Sequence, residues 1–237
     1  MNTYTNTYGN YPAAQALPEE RAAFIRKTYT HLAGAIAAFV LLEAFLISSG
    51  LGGLIAQTLV SFGSLGWFVV LALFIGVSTV ATSWANSQSS KGMQYAGLAL
   101  YTVAEAIIFL PLIIFATYAT SDKYLIYEAG ISTLGLFFGI TAVVFLTRKD
   151  FSFLGPILTI GGFIALGFIA VNLLFGFSLG NVFAFAMVAF AGGAILYQTS
   201  NILHQYRTDQ HVAAALALFA SVALLFWYIL RIFSSRR

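Results

Sequence analysis

The sequence contains no cysteine, only 4 prolines in 237 residues, and a charged fraction of 8%. The missing cysteine excludes disulfides, thiolate chemistry and cysteine metal sites. The scarcity of charge excludes an ordinary soluble domain, in which about 25% of residues are charged. Period-2 alternation is also missing, which excludes a closed barrel and leaves helices as the way to satisfy a backbone in lipid. No nucleophile elbow, H-E-x-x-H, P-loop or dinucleotide fingerprint occurs, so no enzymatic activity is expected. Two of the four prolines lie in the N-terminal tail; of the others, Pro111 lies within an apolar run and Pro156 stands at the start of another. That argues against the paired broken helices of a proton-coupled transporter. Residues 1–20 are polar and lack the apolar centre of a signal peptide, so no cleavage is expected.

What is present is hydrophobic: 60% of the chain, in long runs separated by short polar breaks. Seven runs are expected to be helical spans, at about 28–50, 63–86, 93–118, 125–146, 153–177, 181–203 and 212–233. Each supplies roughly the 20 residues needed to cross a hydrocarbon core of about 30 Å. The chain reads as an all-α integral membrane protein: a polar tail at 1–27, a seven-helix domain at 28–233 and a short basic tail at 234–237. The break at 176–180 is short and uncharged, the weakest of the divisions.

The net charge is +3, and the basic residues gather at helix ends as membrane anchors rather than as a nucleic-acid patch. Arg21, Arg26, Lys27, Lys91, Arg148, Lys149 and Arg207 fall on one side of the membrane, with Lys123 on the other. This asymmetry predicts a cytoplasmic N-terminus. Arg231, Arg236 and Arg237 oppose it, and a re-entrant last segment is the alternative; 212–233 is long enough for a full crossing. Short loops and the lack of extra domains favour a bacterial inner membrane. Gly135 with Gly139, Gly34 with Ala38, and the Gly161–Gly162 pair are expected to pack closely inside the bundle. Trp67, Trp84 and Trp227 are placed as interfacial anchors, and Asp150 as the N-cap of the fifth span.

Chemistry is expected from the polar residues within spans. Glu105 lies near the middle of the third span, where a charged carboxylate costs about 2.5–3.5 kcal/mol. It must therefore be protonated, cation-bound or hydrated within the bundle. Pro111 cannot donate to the carbonyl of Ile107, so a free acceptor lies one turn away. A carboxylate beside a free carbonyl suits Ca²⁺ or Na⁺; the plain reading is a protonated acid next to a simple kink. Glu43, in the outer half of the first span, either snorkels or faces a cavity. His31 lies about 18 Å below it and serves as an inner-leaflet anchor. Gln198, Asn201 and Gln205 share one face at i, i+3 and i+7. Counted from the short loop, Gln198 and Ser221 sit at similar depth, about 9 and 13 Å in. They are expected to hydrogen-bond across two antiparallel helices, or else to line a pathway with neutral oxygens, as Asn172 would. His204, Asp209 and His211 surround the inner loop; their spacing matches no specific ligand set, and a solvated loop is expected. An unperturbed imidazole titrates near pH 6.5, so His204 is also a candidate pH sensor.

Y-Q-T-S at 197–200, A-A-L-A-L-F at 214–219, I-L-R-I-F at 229–233, R-K-D-F-S-F-L-G at 148–155 and R-K-T-Y-T-H-L at 26–32 together resemble the Bax inhibitor-1 family of membrane proteins. The resemblance implies six helices around a hydrophobic seventh and a cation path closed at rest. Family members commonly carry aspartates at the positions of Gln198 and Ser221, a pair associated with pH-sensitive calcium leak. Both positions are neutral here, which implies weak or relocated pH gating. The implied function is a calcium leak, with Ca²⁺ as permeant ion rather than cofactor. The alternative it implies is a regulator that binds membrane proteins, such as a membrane protease, in stress or survival control.

Overall fold

The computed structural model describes residues 12–88, 90–118, 124–176 and 179–235. A 3-10 turn at Ala13–Gln15 precedes eight α-helices: α1 (Pro18–Ser48), α2 (Leu51–Ser61), α3 (Gly63–Ala85), α4 (Lys91–Tyr118), α5 (Leu125–Thr147), α6 (Leu154–Phe175), α7 (Gly180–His204) and α8 (His211–Ser235). There is no strand among the described residues; an isolated bridge joins Pro12 to Arg207. All helices but α2 are long and apolar enough to cross a membrane, and they match the seven expected runs.

α8 is the axis. It packs against α1, α3, α4, α5 and α7, while α6 closes the ring on α3 and α7. In the most apolar stretch of α8, 72% of residues are buried, against 6% for α6. The sequence explains the choice. Ala213–Ala215, Ala217, Ala220 and Ala223 bring small side chains to every face of α8, so neighbouring backbones approach closely. A helix apolar all round is the one to bury on all sides. α8 runs unbroken, which removes the re-entrant alternative, and the Ser235 hydroxyl donates to Asn181 Oδ1 at 2.8 Å, tying its far end to the start of α7.

Several expectations are corrected. α1 begins at Pro18 rather than near 28, because Pro at N1 and Glu19 and Glu20 in the first turn start the helix well before its apolar part. α2 went unforeseen: its 11 residues are too few to span lipid, and it packs on α1, α3 and α4. Gly34, Gly135 and Gly139 have nothing within 4 Å of a hypothetical Cβ; Gly135 and Gly139 face outward, and Gly34 lines an open groove between α1 and α4. The buried stripe of α5 is instead Leu125, Ala129, Thr133, Phe137, Thr141 and Val144. Gly161 does pack as expected: a Cβ added there would lie 3.1 Å from the Phe190 ring. Trp227 is an internal residue, 4.9 Å edge-on to Phe109, and not an interfacial anchor. Asp150 does not cap α6. Its Oδ1 accepts the Ser152 N–H at 2.9 Å, and the Phe151 N–H donates to Ser200 Oγ at 2.8 Å, which pins the α5–α6 loop to α7. The weak division resolves at Gly176, whose left-handed φ of 71° ends α6 and lets its N–H reach the Asn172 carbonyl.

Candidate functional site

Two cavities flank α8 and abut at its middle. The first, about 540 Å³, lies between α3, α4, α7 and α8 at the end of the bundle that carries the α7–α8 loop. Gln198 and Ser221 both line it, with Tyr206 and Asn86 near its mouth. The expected hydrogen bond between Gln198 and Ser221 is not made. The Ser221 hydroxyl donates to the Ala217 carbonyl at 2.9 Å, and Gln198 Oε1 is buried without a partner. Both residues nonetheless line the cavity. Sequence reasoning missed the opposite wall: Ser78, Thr82 and Asn86 of the α3 side, with Thr79 beside them. Their i, i+4, i+8 spacing puts them on one helical face, and this was the signal available. Ser78 Oγ is likewise buried and unpartnered.

The second cavity, about 440 Å³, continues toward the other end between α3, α4, α6, α7 and α8. Glu105 lines it, as do Asn172, Trp67, Trp227, Tyr228 and, at the far end, Arg231. Phe74, Tyr101, Ala220 and Ser221 belong to both cavities and form the wall between them. Tyr101 lines both cavities, with Ser78 in the lining of the first and Glu105 in that of the second. Glu105 is 6% exposed. The expected union of its carboxylate with the carbonyl freed by Pro111 is not assembled. Ile107 and Pro111 are absent from the cavity lining, and the Ile107 side chain is 40% exposed on the outer face. A step of two residues turns a helix by more than half a circle, which separates the two groups. No group of three metal-ligating His or acidic side chains occurs among the described residues.

A family model described as Inhibitor of apoptosis-promoting Bax1 matches residues 21–237. The chain belongs to the Bax inhibitor-1 family. It is 30% identical to protein LIFEGUARD 4 of Arabidopsis thaliana over 94% of this chain and 89% of the relative. It is 29% identical to Bax inhibitor 1 of Schizosaccharomyces pombe, over 93% and 79%. An uncharacterized protein of Pseudomonas aeruginosa is 33% identical over 70% and 73%.

The other sites expected in this Bax inhibitor-1 protein lie apart from the cavities. Glu43 is buried on α1, 5% exposed, with neither carboxyl oxygen hydrogen-bonded. It does not snorkel, and it lines neither of the two cavities beside α8. An unsatisfied buried polar group costs about 1–3 kcal/mol. Glu43→Met is therefore expected to raise the melting temperature by several degrees, at about 2–4 °C per kcal/mol for a chain of this size. A lowered melting temperature by circular dichroism would mean that the carboxyl holds a water or an ion. Asn201 is buried outside both cavities; its carbonyl accepts the N–H groups of Gln205 and Tyr206 and so ends α7.

The inner loop is more structured than a solvated one. His204 Nδ1 lies 3.0 Å from the Ser200 carbonyl. Arg207 meets both oxygens of Asp209 at 3.1 Å, and this pairing holds the guanidinium above its usual value. Burial pushes the Tyr206 phenol up to about 12. The Ser152 backbone N–H, aided by His204 and Ser200, holds the Asp150 carboxyl below the usual carboxylate range. His211 is buried, with its ring 5.0 Å from that of His31, and His31 in turn stacks on Tyr95. His204, Asp209 and His211 thus take separate partners and form no shared site. His31 is part of a helix contact rather than a free anchor.

Proposed function

We propose that this protein is a cation leak pathway, with Ca²⁺ as its principal ion and the two abutting cavities as its two halves. One observation carries the reading: oxygen-bearing side chains run from Asn86 and Tyr206 at one end, past Ser78, Gln198 and Ser221, to Glu105 and Asn172 in the second chamber. Polar groups inside a membrane bundle mark ion pathways, and a hard cation favours oxygen ligands. Tyr101 and Phe74 close the path at rest where the chambers meet. The surplus of Arg and Lys on the side of the α7–α8 loop supports a cytoplasmic N-terminus, in a bacterial inner membrane. Because Gln198 and Ser221 do not titrate, the leak lacks the steep acid response of a carboxylate pair.

The test is Ca²⁺ flux into proteoliposomes between pH 5 and 8, for the native chain and Glu105→Gln. Flux that the substitution removes supports the pathway with Glu105 as its acidic group. Unchanged flux keeps a pathway but takes Glu105 out of it. No flux from folded, inserted protein overturns the reading. It would then favour the second one, a non-enzymatic regulator of membrane proteins such as a membrane protease. The outward-facing Gly135 and Gly139 support that role, because small residues allow close helix contact within lipid.

A further inference from the structure

The second cavity has a chemistry that an inorganic ion does not need. Its walls are aromatic: Trp67, Phe74, Tyr101, Trp227 and Tyr228 line it, and Phe109 braces Trp227 edge-on at 4.9 Å. A hydrated metal ion gains little from such walls, whereas organic cations bind to the faces of Trp and Tyr within about 6 Å. The volume, about 440 Å³, lies in the range of small-molecule sites, about 300–1,000 Å³. One carboxyl lies in it, Glu105, and no Lys or Arg among the described residues pairs with that group. The one cationic lining residue, Arg231, sits at the opposite end, about 15 Å along α8 from Ser221. The cavity is thus polarised: acidic and aromatic toward the bundle centre, basic at its outer mouth.

We propose that this cavity is a binding site for lipophilic organic monocations, of the quaternary or tertiary ammonium class, with Glu105 as counter-charge and the Trp and Tyr faces as the cage. A compact hydrocarbon-clad cation satisfies both requirements at once. It neutralises a carboxyl that has no basic partner, and it fills apolar space without needing a hydration shell. The inference is independent of ion conduction, because binding is measured without a gradient.

The experiment uses full-length protein in detergent with tetrabutylammonium as the probe. Trp67 and Trp227 report occupancy by fluorescence, with Trp84→Phe removing the tryptophan outside the cavity. The neutral alcohol tributylmethanol serves as the uncharged comparator. Expected are saturable quenching and a raised melting temperature with tetrabutylammonium, at least a tenfold loss of affinity in Glu105→Gln, and little effect of the alcohol. Leu224→Trp, which fills the cavity and leaves Glu105 in place, is expected to abolish binding and serves if Glu105→Gln does not fold. Equal binding by Glu105→Gln overturns the proposal. So does equal binding of the neutral alcohol, which would indicate a merely apolar hole.

Discussion

Gly97→Val is expected to prevent the protein from accumulating as a monodisperse, folded species, and Gly97→Ala to lower its melting temperature by many degrees. A Cβ at Gly97 would lie 2.5 Å from the Ala81 carbonyl oxygen and 2.6 Å from the Ala85 nitrogen, with Trp84 Cβ at 3.1 Å. Two of these are backbone atoms of α3, which cannot rotate away as a flexible side chain can. Overpacking a core typically costs about 1–3 kcal/mol; with rigid backbone on the receiving side, the upper end is the minimum expected. The α3–α4 crossing also holds Thr82 and Asn86 against the first cavity, so function suffers with stability. The control is Gly135→Ala on α5, where a Cβ meets nothing within 4 Å. There the ordinary helix preference for Ala, about 1 kcal/mol, should leave the protein as stable or slightly more so. Size-exclusion profiles and melting temperatures of the two alanine variants decide the matter, and matching behaviour would refute the close crossing.

Replacing Gln198 and Ser221 together by Asp is expected to give the protein a strong pH sensitivity that the native side chains at these positions cannot supply. Both positions line one chamber wall on facing helices. Two carboxylates brought to about 4 Å repel by on the order of 4 kcal/mol at an effective dielectric of about 20, and such a pair titrates as one unit. At pH 5 the pair shares a proton, and the helices stay together. As the pH rises to 8 the shared proton leaves, and two charges face each other inside the bundle. The melting temperature of the double variant should therefore fall with rising pH, by several degrees at about 2–4 °C per kcal/mol. The native chain should show no such trend from these positions. The readout needs no ion flux, so it tests the geometry of α7 against α8 by itself. A flat profile for the double variant would mean that the two positions do not lie close together on that wall.

Much of the architecture was legible because lipid leaves the backbone few options. Seven apolar runs had to be seven helices, whereas the burial of the last one was implied by the family resemblance and not by its composition. The depth match of Gln198 and Ser221 followed from counting residues out of a short loop, and both line one cavity. Glu105 stood out as a lone acid in an apolar run. What was not legible depends on direction rather than depth. Gly135 and Gly139 mark a face of α5, but spacing does not say whether that face meets a neighbour or lipid. The Ile107 carbonyl is near Glu105 in sequence, yet the helical turn carries it to the other side. Trp227 looked interfacial by its place near a span end, while its ring turns inward onto Phe109. The polar row of Ser78, Thr82 and Asn86 was passed over because serine and threonine barely disturb an apolar run. It acquires meaning only when Tyr101 and Ser221 are seen opposite.

The N-terminal segment carries a mechanical implication. The Ala13 N–H donates to the Tyr206 carbonyl at 2.7 Å, and Arg21 reaches the Leu203 carbonyl at 3.4 Å. Tyr206 is itself part of the first chamber's rim. The amino-terminal stretch is therefore a leash fastened to a doorpost, and a load hung ahead of Pro12 pulls on the rim before it pulls on any helix. A fusion tag or tethered label at that end is not a neutral handle. One attached beyond Ser235, at the opposite end of α8, leaves the doorpost alone.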